Sequence, residues 1–156
     1  MNSQPFLVYM DAQILGAAII YERGQQAARS SDAFRVLEMV RTYCPSRIVL
    51  TETLWAQLRH EFPGQLGIVA SKLRAAQSEE TNKFIRRNRR IDGAAVPYID
   101  LHRELVQDAL AQQAHLAVSN LQRWLVHAKR VKEDHGLTIL PPKEAVRMIN
   151  NMRGTS

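Results

Sequence analysis

The stretch FLVYMDAQIL, residues 6–15, decides the fold predicted for this chain. Its first five residues are apolar and include a β-branched and an aromatic side chain, a pattern typical of a strand buried on both faces of a parallel sheet. An unpaired carboxylate inside such a strand would be costly, because its charge would lose its hydration. Asp11 therefore marks the carboxyl end of the strand, which is the edge where open α/β sheets place their ligands. Asp11 is thus the first residue of a candidate site.

Three further short apolar runs alternate with helical patterns along the rest of the chain. They predict strands at Arg47–Thr51, Leu116–Ser119 and Leu137–Leu140. Helical spacing of apolar residues, with capping and breaking residues, predicts helices over 12–24, 31–44, 52–61, 65–90, 100–115 and 121–135, and a closing helix from residue 142. The pattern indicates a single α/β domain over residues 1–156, with three α/β/α layers and a small, mainly parallel sheet of four to five strands.

Composition narrows the class of partner. The net charge of +6 favours an anionic partner, either nucleic acid or an acidic protein, although a basic surface without a partner has the same composition. The lone cysteine, Cys44, rules out an internal disulfide and a cysteine-based zinc site, and it suits a reducing compartment. No apolar run approaches the roughly 20 residues needed to span a bilayer, and the amino terminus lacks the features of a signal peptide. We therefore expect a cytoplasmic protein with no membrane partner.

The densest charge in the sequence is a run of arginines. Arg86, Arg87, Arg89 and Arg90 place four guanidinium groups within five residues. Each guanidinium offers a planar fork of donors that matches a phosphate group, so the run is a candidate nucleic-acid contact. The alternative is a solvated helix end whose cations complement the helix dipole.

A second cluster is acidic. Asp100, Glu104 and Asp108 stand four residues apart, so on one helix they would share a face and could direct their carboxylates to one place. The alternative is a solvated helix face. The five histidines show no metal-ligand spacing, so a zinc site is not predicted.

The order of these strands, helices and polar residues resembles that of a PIN domain, the fold of many prokaryotic toxin ribonucleases. The resemblance covers nearly the whole chain and is carried by Tyr9–Leu15, Ile48–Leu58, Ala109–Ser119 and Gly136–Glu144. It implies a nucleic-acid partner, with RNA favoured over DNA, and a place in a toxin–antitoxin or defence system. An antitoxin-like or other complex partner and a homodimer both stay open.

In such domains about four acids hold Mg²⁺ or Mn²⁺ and activate water against a phosphodiester. The resemblance places Asp11 at the first acid, and Asp100 or Glu104 at the third. The second position falls on the neutral Gln57 and the fourth on Leu121, which cannot bind a metal ion. Two ionic ligands are therefore missing from the pattern.

Residues near Gln57 and Leu121 could replace part of the missing metal-binding capacity. Glu52 lies on the helix that also carries Gln57, and Asn120 precedes Leu121. The catalytic set implied by the resemblance is Asp11, Asp100, Glu104 and Glu52, of which Asp11, Asp100 and Glu104 would hold the metal. The residues implied to line the site are Gln13, Thr51, Gln57, Ser119 and Asn120.

Hard cations need oxygen ligands, and two-metal hydrolysis needs two ions about 4 Å apart, each anchored by carboxylates. With Gln57 and Leu121 in place of acids, the sequence predicts a PIN-like nucleic-acid-binding protein with a weak or inactive site. Two alternatives stay open. One is an active Mg²⁺- or Mn²⁺-dependent endoribonuclease, and the other is a subunit that binds an acidic protein partner.

Overall fold

The computed structural model describes residues 5–23, 31–65, 84–87, 89 and 95–154. Its strands are β1 (Phe6–Met10), β2 (Ser46–Leu50), β3 (Phe84–Arg86), β4 (Leu116–Val118) and β5 (Thr138–Leu140). They form one sheet in the order β3-β2-β1-β4-β5, and every neighbouring pair is parallel. The predicted α/β class and mainly parallel sheet are confirmed.

Helices connect the strands in a three-layer α/β/α arrangement. They are α1 (Ala12–Arg23), α2 (Asp32–Thr42), α3 (Glu52–Glu61), α4 (Arg103–Ala111), α5 (Gln122–Leu125), α6 (Ala128–His135) and α7 (Pro142–Gly154), with a 3₁₀ turn at Pro63–Gln65. Helix α2 packs against α1 and α7, and α3 packs against α1 and α4. None of the helices in the described ranges has both the length and the apolar character needed to cross a bilayer.

The central strand is the most deeply buried part of the sheet. Val8, Tyr9 and Met10 are fully buried, because β1 is covered on both faces and paired on both sides. Their burial explains why the run from residue 6 to residue 10 is apolar without alternation. Asp11 is the first polar residue after this apolar run, and it is buried as well.

Polar side chains start the helices that leave the strands. The Asp11 carboxylate accepts a hydrogen bond from the Ile14 amide at 2.8 Å, at the start of α1. The Thr51 hydroxyl accepts one from the Leu54 amide at 3.0 Å at the start of α3, as the sequence predicts. Ser31 caps α2 by accepting a hydrogen bond from the Phe34 amide. Each cap satisfies a backbone donor that has no partner within its helix.

The predicted helix over 65–90 is wrong at its carboxyl end. Residues 84–86 form β3, in which Phe84 is buried and pairs with Ile48 of β2. Pairing with an already formed strand outweighs the local helical pattern, as tertiary contacts often do. The preceding part of that prediction, residues 66–83, lies outside the described residues.

Two other predicted helices are shorter than expected. The helix predicted over 100–115 begins at Arg103, because His102 adopts a left-handed conformation (φ 52°) that interrupts a right-handed helix. Asp100 therefore lies in the preceding loop. The helix predicted over 121–135 is divided into α5 and α6 by a turn at residues 126–127. The buried Trp124 fixes this region by donating its indole N–H to the Leu101 carbonyl at 2.8 Å.

The strand order contains a reversal that positions the candidate site. From β1 the chain builds the sheet in one direction through β2 and β3, and then returns to add β4 and β5 on the other side. In open parallel sheets, ligands bind in the crevice beyond the carboxyl ends of the strands at such a reversal. Here that point lies between β1 and β4, which are followed by Asp11 and Ser119.

Candidate functional site

Asp11 lies at the carboxyl edge of the sheet beside the residues that follow the neighbouring strands. Its backbone N–H donates to the Val118 carbonyl at 3.0 Å, and Met10 and Val118 are paired across β1 and β4. This register sets Asp11 level with Ser119. Thr51 follows β2 in the same way, so three polar residues end three neighbouring strands at one edge.

The Asp11 carboxyl group is buried but incompletely bonded. Its side chain is 2% exposed, and Oδ1 accepts the Ile14 amide, whereas Oδ2 has no hydrogen-bond partner in the part of the chain that the structure describes. Burial raises the pKa of this carboxyl group, an effect that the nearby Ser119 hydroxyl and the amides of Ile14 and Gln13 partly oppose. One carboxylate oxygen is therefore buried without a hydrogen-bond partner among the described residues.

Asp108 is a second buried acid, but all its contacts are structural. Its carboxylate accepts hydrogen bonds from the Tyr9 hydroxyl at 2.6 Å, from the Thr51 hydroxyl, and from the Gln112 amide at 3.0 Å. Burial, together with the Asp108 charge, raises the pKa of Tyr9 well above its usual value, so Tyr9 remains a hydrogen-bond donor. This network joins β1, the start of α3 and α4 beneath the site.

The other acids of the predicted cluster behave differently. Asp100 is exposed and pairs with Arg123 at 2.7 Å, and Glu104 is exposed on the first turn of α4. The prediction that Asp100, Glu104 and Asp108 share one helix face is wrong, because Asp100 precedes the helix. Of the three, only Asp108 is buried.

Glu52 also pairs with an arginine. Its carboxylate lies 3.0 Å from Arg86, which ends β3 at the same edge of the sheet. Both this pair and Asp100–Arg123 are at least 41% exposed, and exposed pairs contribute at most about 1 kcal/mol to stability. The carboxyl edge therefore carries two arginines whose present partners hold them weakly.

An open cleft of about 670 Å³ lies between α3 and the start of α4. We call it the histidine cleft, and it is lined by Glu52, Thr53, Ala56, Gln57, His60, His102 and Glu104. It brings together three of the predicted site residues, Glu52, Gln57 and Glu104. Gln13 and Asn120 line a different, smaller cleft of about 420 Å³ together with Lys143. Each of these two clefts thus contains some of the predicted site residues, and Asp11 lines neither of them.

His102 lines the histidine cleft and lies near two glutamates. Its Nε2 lies 3.9 Å from a Glu61 carboxylate oxygen, and its Nδ1 lies 3.9 Å from one of Glu104. Glu61 is itself fixed by a hydrogen bond from the Gln57 amide at 3.0 Å. The His102 side chain is 23% exposed.

Only part of the arginine run lies within the described residues. Arg86 extends to the carboxyl edge, Arg87 donates to the Gln112 carbonyl at 3.4 Å, and Arg89 donates to the Gln113 side chain at 3.1 Å. Arg90 lies outside the described residues. Arg86 is the last residue of β3, and Arg87 and Arg89 follow that strand, so the interpretation as cations at a helix terminus does not apply to them.

The residues described here do not fit a two-metal centre. The free Oδ2 of Asp11 could contact one cation, but Glu52 and Asp100 are both engaged by arginines. Across the described ranges, no three histidine, cysteine, aspartate or glutamate side chains are grouped so that they could hold an ion. Two ions would each need carboxylates from several elements, and Gln57 and Leu121 supply none.

Sequence reasoning did not include His60 and His102 in the site. Their spacing matches no metal motif, yet His60 lies three residues after Gln57 on α3 and therefore shares its face. His102 is two residues from Glu104. A search for titratable residues at helical spacing around Gln57, rather than for metal ligands, would have found the first of them.

Comparison with known proteins provides no further identification. No family model matches the chain, and no match is found among proteins of curated function.

Proposed function

We propose that this chain is a PIN-like protein that binds single-stranded nucleic acid, RNA in preference to DNA, across the carboxyl edge of its sheet, with a metal site that is weak or inactive. The observation that carries the proposal is the pair of arginines at that edge, Arg86 and Arg123, each paired with an exposed carboxylate among the residues that the structure describes. The net charge of +6 supports a polyanionic partner.

The arginines keep donors available for phosphate. A guanidinium has five N–H donors, and the contact to Glu52 uses Nη2 of Arg86 while the contact to Asp100 uses Nη1 of Arg123. The remaining donors can reach phosphate oxygens without breaking either ion pair. Arg86 ends β3, and Arg123 lies in the helix that follows β4 of the same parallel sheet. A single-stranded nucleic acid lying along the carboxyl edge would therefore contact both arginines.

Weak metal binding follows from the same contacts. Arg86 and Arg123 reduce the negative charge of Glu52 and Asp100, and a divalent cation needs that charge beside a polyanion. A cytoplasmic location and an antitoxin-like protein partner belong to the same proposal and rest on the resemblance to PIN domains.

The test is the affinity for a fluorescently labelled single-stranded RNA, measured by anisotropy over a range of salt concentrations. We expect the affinity to fall steeply with salt, and Arg86→Ala and Arg123→Ala each to reduce the slope of log affinity against log salt by about 0.7. Glu52→Gln should strengthen binding, since it removes a negative charge and frees Arg86.

Arg47→Ala provides the matched control. Arg47 lies near the amino end of β2, beside Leu7, so the substitution removes the same charge from the opposite edge of the sheet. Equal losses for Arg47→Ala and Arg86→Ala would show a general charge effect and contradict the proposed binding edge. Affinity that does not depend on salt would contradict phosphate binding altogether.

A further inference from the structure

A tryptophan of α3 carries a guanidinium group over its ring. Trp55 packs against the hydrophobic core but is only half-buried, and the guanidinium carbon of Arg59 lies 5.5 Å from the centre of the Trp55 ring. Arg59 itself is exposed. Because an exposed, flexible side chain lies over the ring, a ligand can reach that face of the ring when the side chain moves aside. Trp55 does not line the histidine cleft, so this ring is a separate feature of α3.

Trp55 is aligned with one arginine of the proposed binding edge. Glu52, Trp55 and Arg59 stand three and four residues apart on α3, so they share one face of the helix. Glu52 pairs with Arg86 at 3.0 Å, which brings that guanidinium to the first turn of the same helix. The distance along the helix axis from Glu52 to Arg59 is about 10 Å. Two guanidinium groups therefore flank one indole ring.

We propose that Trp55 is a base-stacking site, at which one unpaired base lies on the indole ring while Arg86 and Arg59 bind the phosphates on either side. The inference rests on the proposed binding of nucleic acid, and it adds the feature by which the protein distinguishes a single strand from a duplex. Phosphate contacts alone cannot make this distinction, because both forms present phosphates. An aromatic ring can make it, because a paired base already has neighbouring bases on both of its faces.

Replacement of the Arg59 guanidinium by a base is favourable. A cation–π contact at an exposed site contributes less to stability than a base stacked on an aromatic ring contributes to binding. Arg59 keeps its charge beside the strand after it leaves the ring, so its guanidinium stays available for a phosphate. Every base has a π face, and we therefore expect the site to accept all four bases.

The experiment compares two affinities of the full chain by fluorescence anisotropy. The probes are a labelled single-stranded RNA and the duplex that it forms with its complement. Trp55→Leu should weaken binding of the single strand about 5- to 150-fold, the loss expected for one stacked base, and should lower the ratio of single-strand to duplex affinity by the same factor. Trp55→Phe keeps an aromatic ring and should lose less.

Tryptophan fluorescence identifies the ring that binds. The chain has two tryptophans, and Trp124 is fully buried. Quenching of the wild-type fluorescence by unlabelled single-stranded RNA should therefore come from Trp55, and it should disappear in Trp55→Phe. Quenching that persists unchanged in Trp55→Phe would overturn the inference. If Trp55→Leu does not fold, as judged by thermal unfolding, this comparison decides.

Two further variants separate stacking from charge and from general loss of an aromatic side chain. Arg59→Ala should reduce the slope of log affinity against log salt for the single strand by about 0.7, whereas Trp55→Leu should leave the slope unchanged. Phe6→Leu is the matched control, because Phe6 is a half-buried aromatic residue at the amino end of β1. It should leave both affinities unchanged, and a loss equal to that of Trp55→Leu would contradict a specific site.

A tryptophan beside an arginine is also a common composition of protein interfaces. Sedimentation of wild type and Trp55→Leu tests this alternative. A dimer that dissociates in Trp55→Leu, with the ratio of the two RNA affinities unchanged, would assign Trp55 to an interface between copies of the chain and overturn the inference.

The remaining outcomes separate the inference from the proposed function. Trp55→Leu that binds the single strand as tightly as wild type does would overturn base stacking and leave the proposed RNA binding intact. Equal losses for the single strand and the duplex would also overturn it, because stacking requires an unpaired base. Absence of RNA binding by wild type would overturn both the inference and the proposed function.

Discussion

Replacing Asp11 with asparagine is expected to stabilise the fold at neutral pH. The carboxyl group is 2% exposed, and Oδ2 has no hydrogen-bond partner in the described residues, so its charge is buried with little compensation. Burial raises its pKa, which means that the folded state holds the proton more tightly than the unfolded chain does. Ionised Asp11 therefore lowers the free energy of unfolding at pH 7.

The magnitude follows from linkage. Each pH unit by which the folded pKa exceeds the unfolded value removes about 1.4 kcal/mol of stability once both states are ionised. Asparagine removes that charge and keeps an oxygen to accept the Ile14 amide, so the cap of α1 is retained. The new amide group needs an acceptor, which offsets part of the gain. We expect a net stabilisation of about 1 kcal/mol, or an increase in Tm of about 2–4 °C for a chain of this size.

The assay is chemical and thermal unfolding of wild type and Asp11→Asn between about pH 4 and 8, a range that starts near the usual aspartate pKa. An acid whose folded pKa is raised favours folding below its unfolded pKa and loses that contribution as pH rises through the folded value. The stability of Asp11→Asn relative to wild type should therefore increase with pH and then level off. Asp11→Ala, which removes the cap, should be about 0.5–2 kcal/mol less stable than Asp11→Asn. If Asp11→Asn is less stable than wild type at pH 7, or the difference does not change with pH, the argument from burial is refuted.

Two other substitutions test the packing and the polar network. Gly16→Ala should destabilise the fold by about 1–3 kcal/mol in denaturant unfolding, although alanine usually favours a helix, because the new Cβ would lie 2.1 Å from a ring atom of Phe62. Gly64→Ala, which meets no atom within 4 Å, should not do so, and equal effects would contradict the clash. Asp108→Ala should cost about 3 kcal/mol or more by the same measurement, because it leaves buried donors, including the Tyr9 hydroxyl, without an acceptor. A loss below about 1 kcal/mol would show that the network is not needed for stability.

Features encoded by neighbouring residues could be predicted from the sequence. The strand that ends at Asp11, the Thr51 cap and the parallel sheet each follow from a few adjacent side chains and from short-range periodicity. The strand at residues 84–86 could not be predicted, because three residues carry no period of their own. They become a strand by pairing with β2, which lies more than 30 residues away in sequence.

The roles of the acids depend on tertiary packing and were predicted less well. On sequence alone Asp100, Glu104 and Asp108 look equivalent, yet their environments differ completely. Asp108 is buried beneath the sheet edge by the packing of α4, whereas Asp100 meets Arg123 across 23 residues of chain. No local pattern specifies which carboxylate a helix turns inward when several stand at helical spacing.

The two buried acids of the sheet edge differ in what folding requires of them. Asp108 uses both carboxylate oxygens to accept hydrogen bonds, so its negative charge is compensated and its removal should damage the fold. Asp11 contributes one bond, which asparagine could supply equally well, and its charge works against stability. The fold therefore requires an oxygen at position 11 that accepts the Ile14 amide, but it does not require that side chain to be charged. Because acids with perturbed pKa values cluster at functional sites, we attribute the buried acid at position 11 to the proposed ligand site at the carboxyl edge.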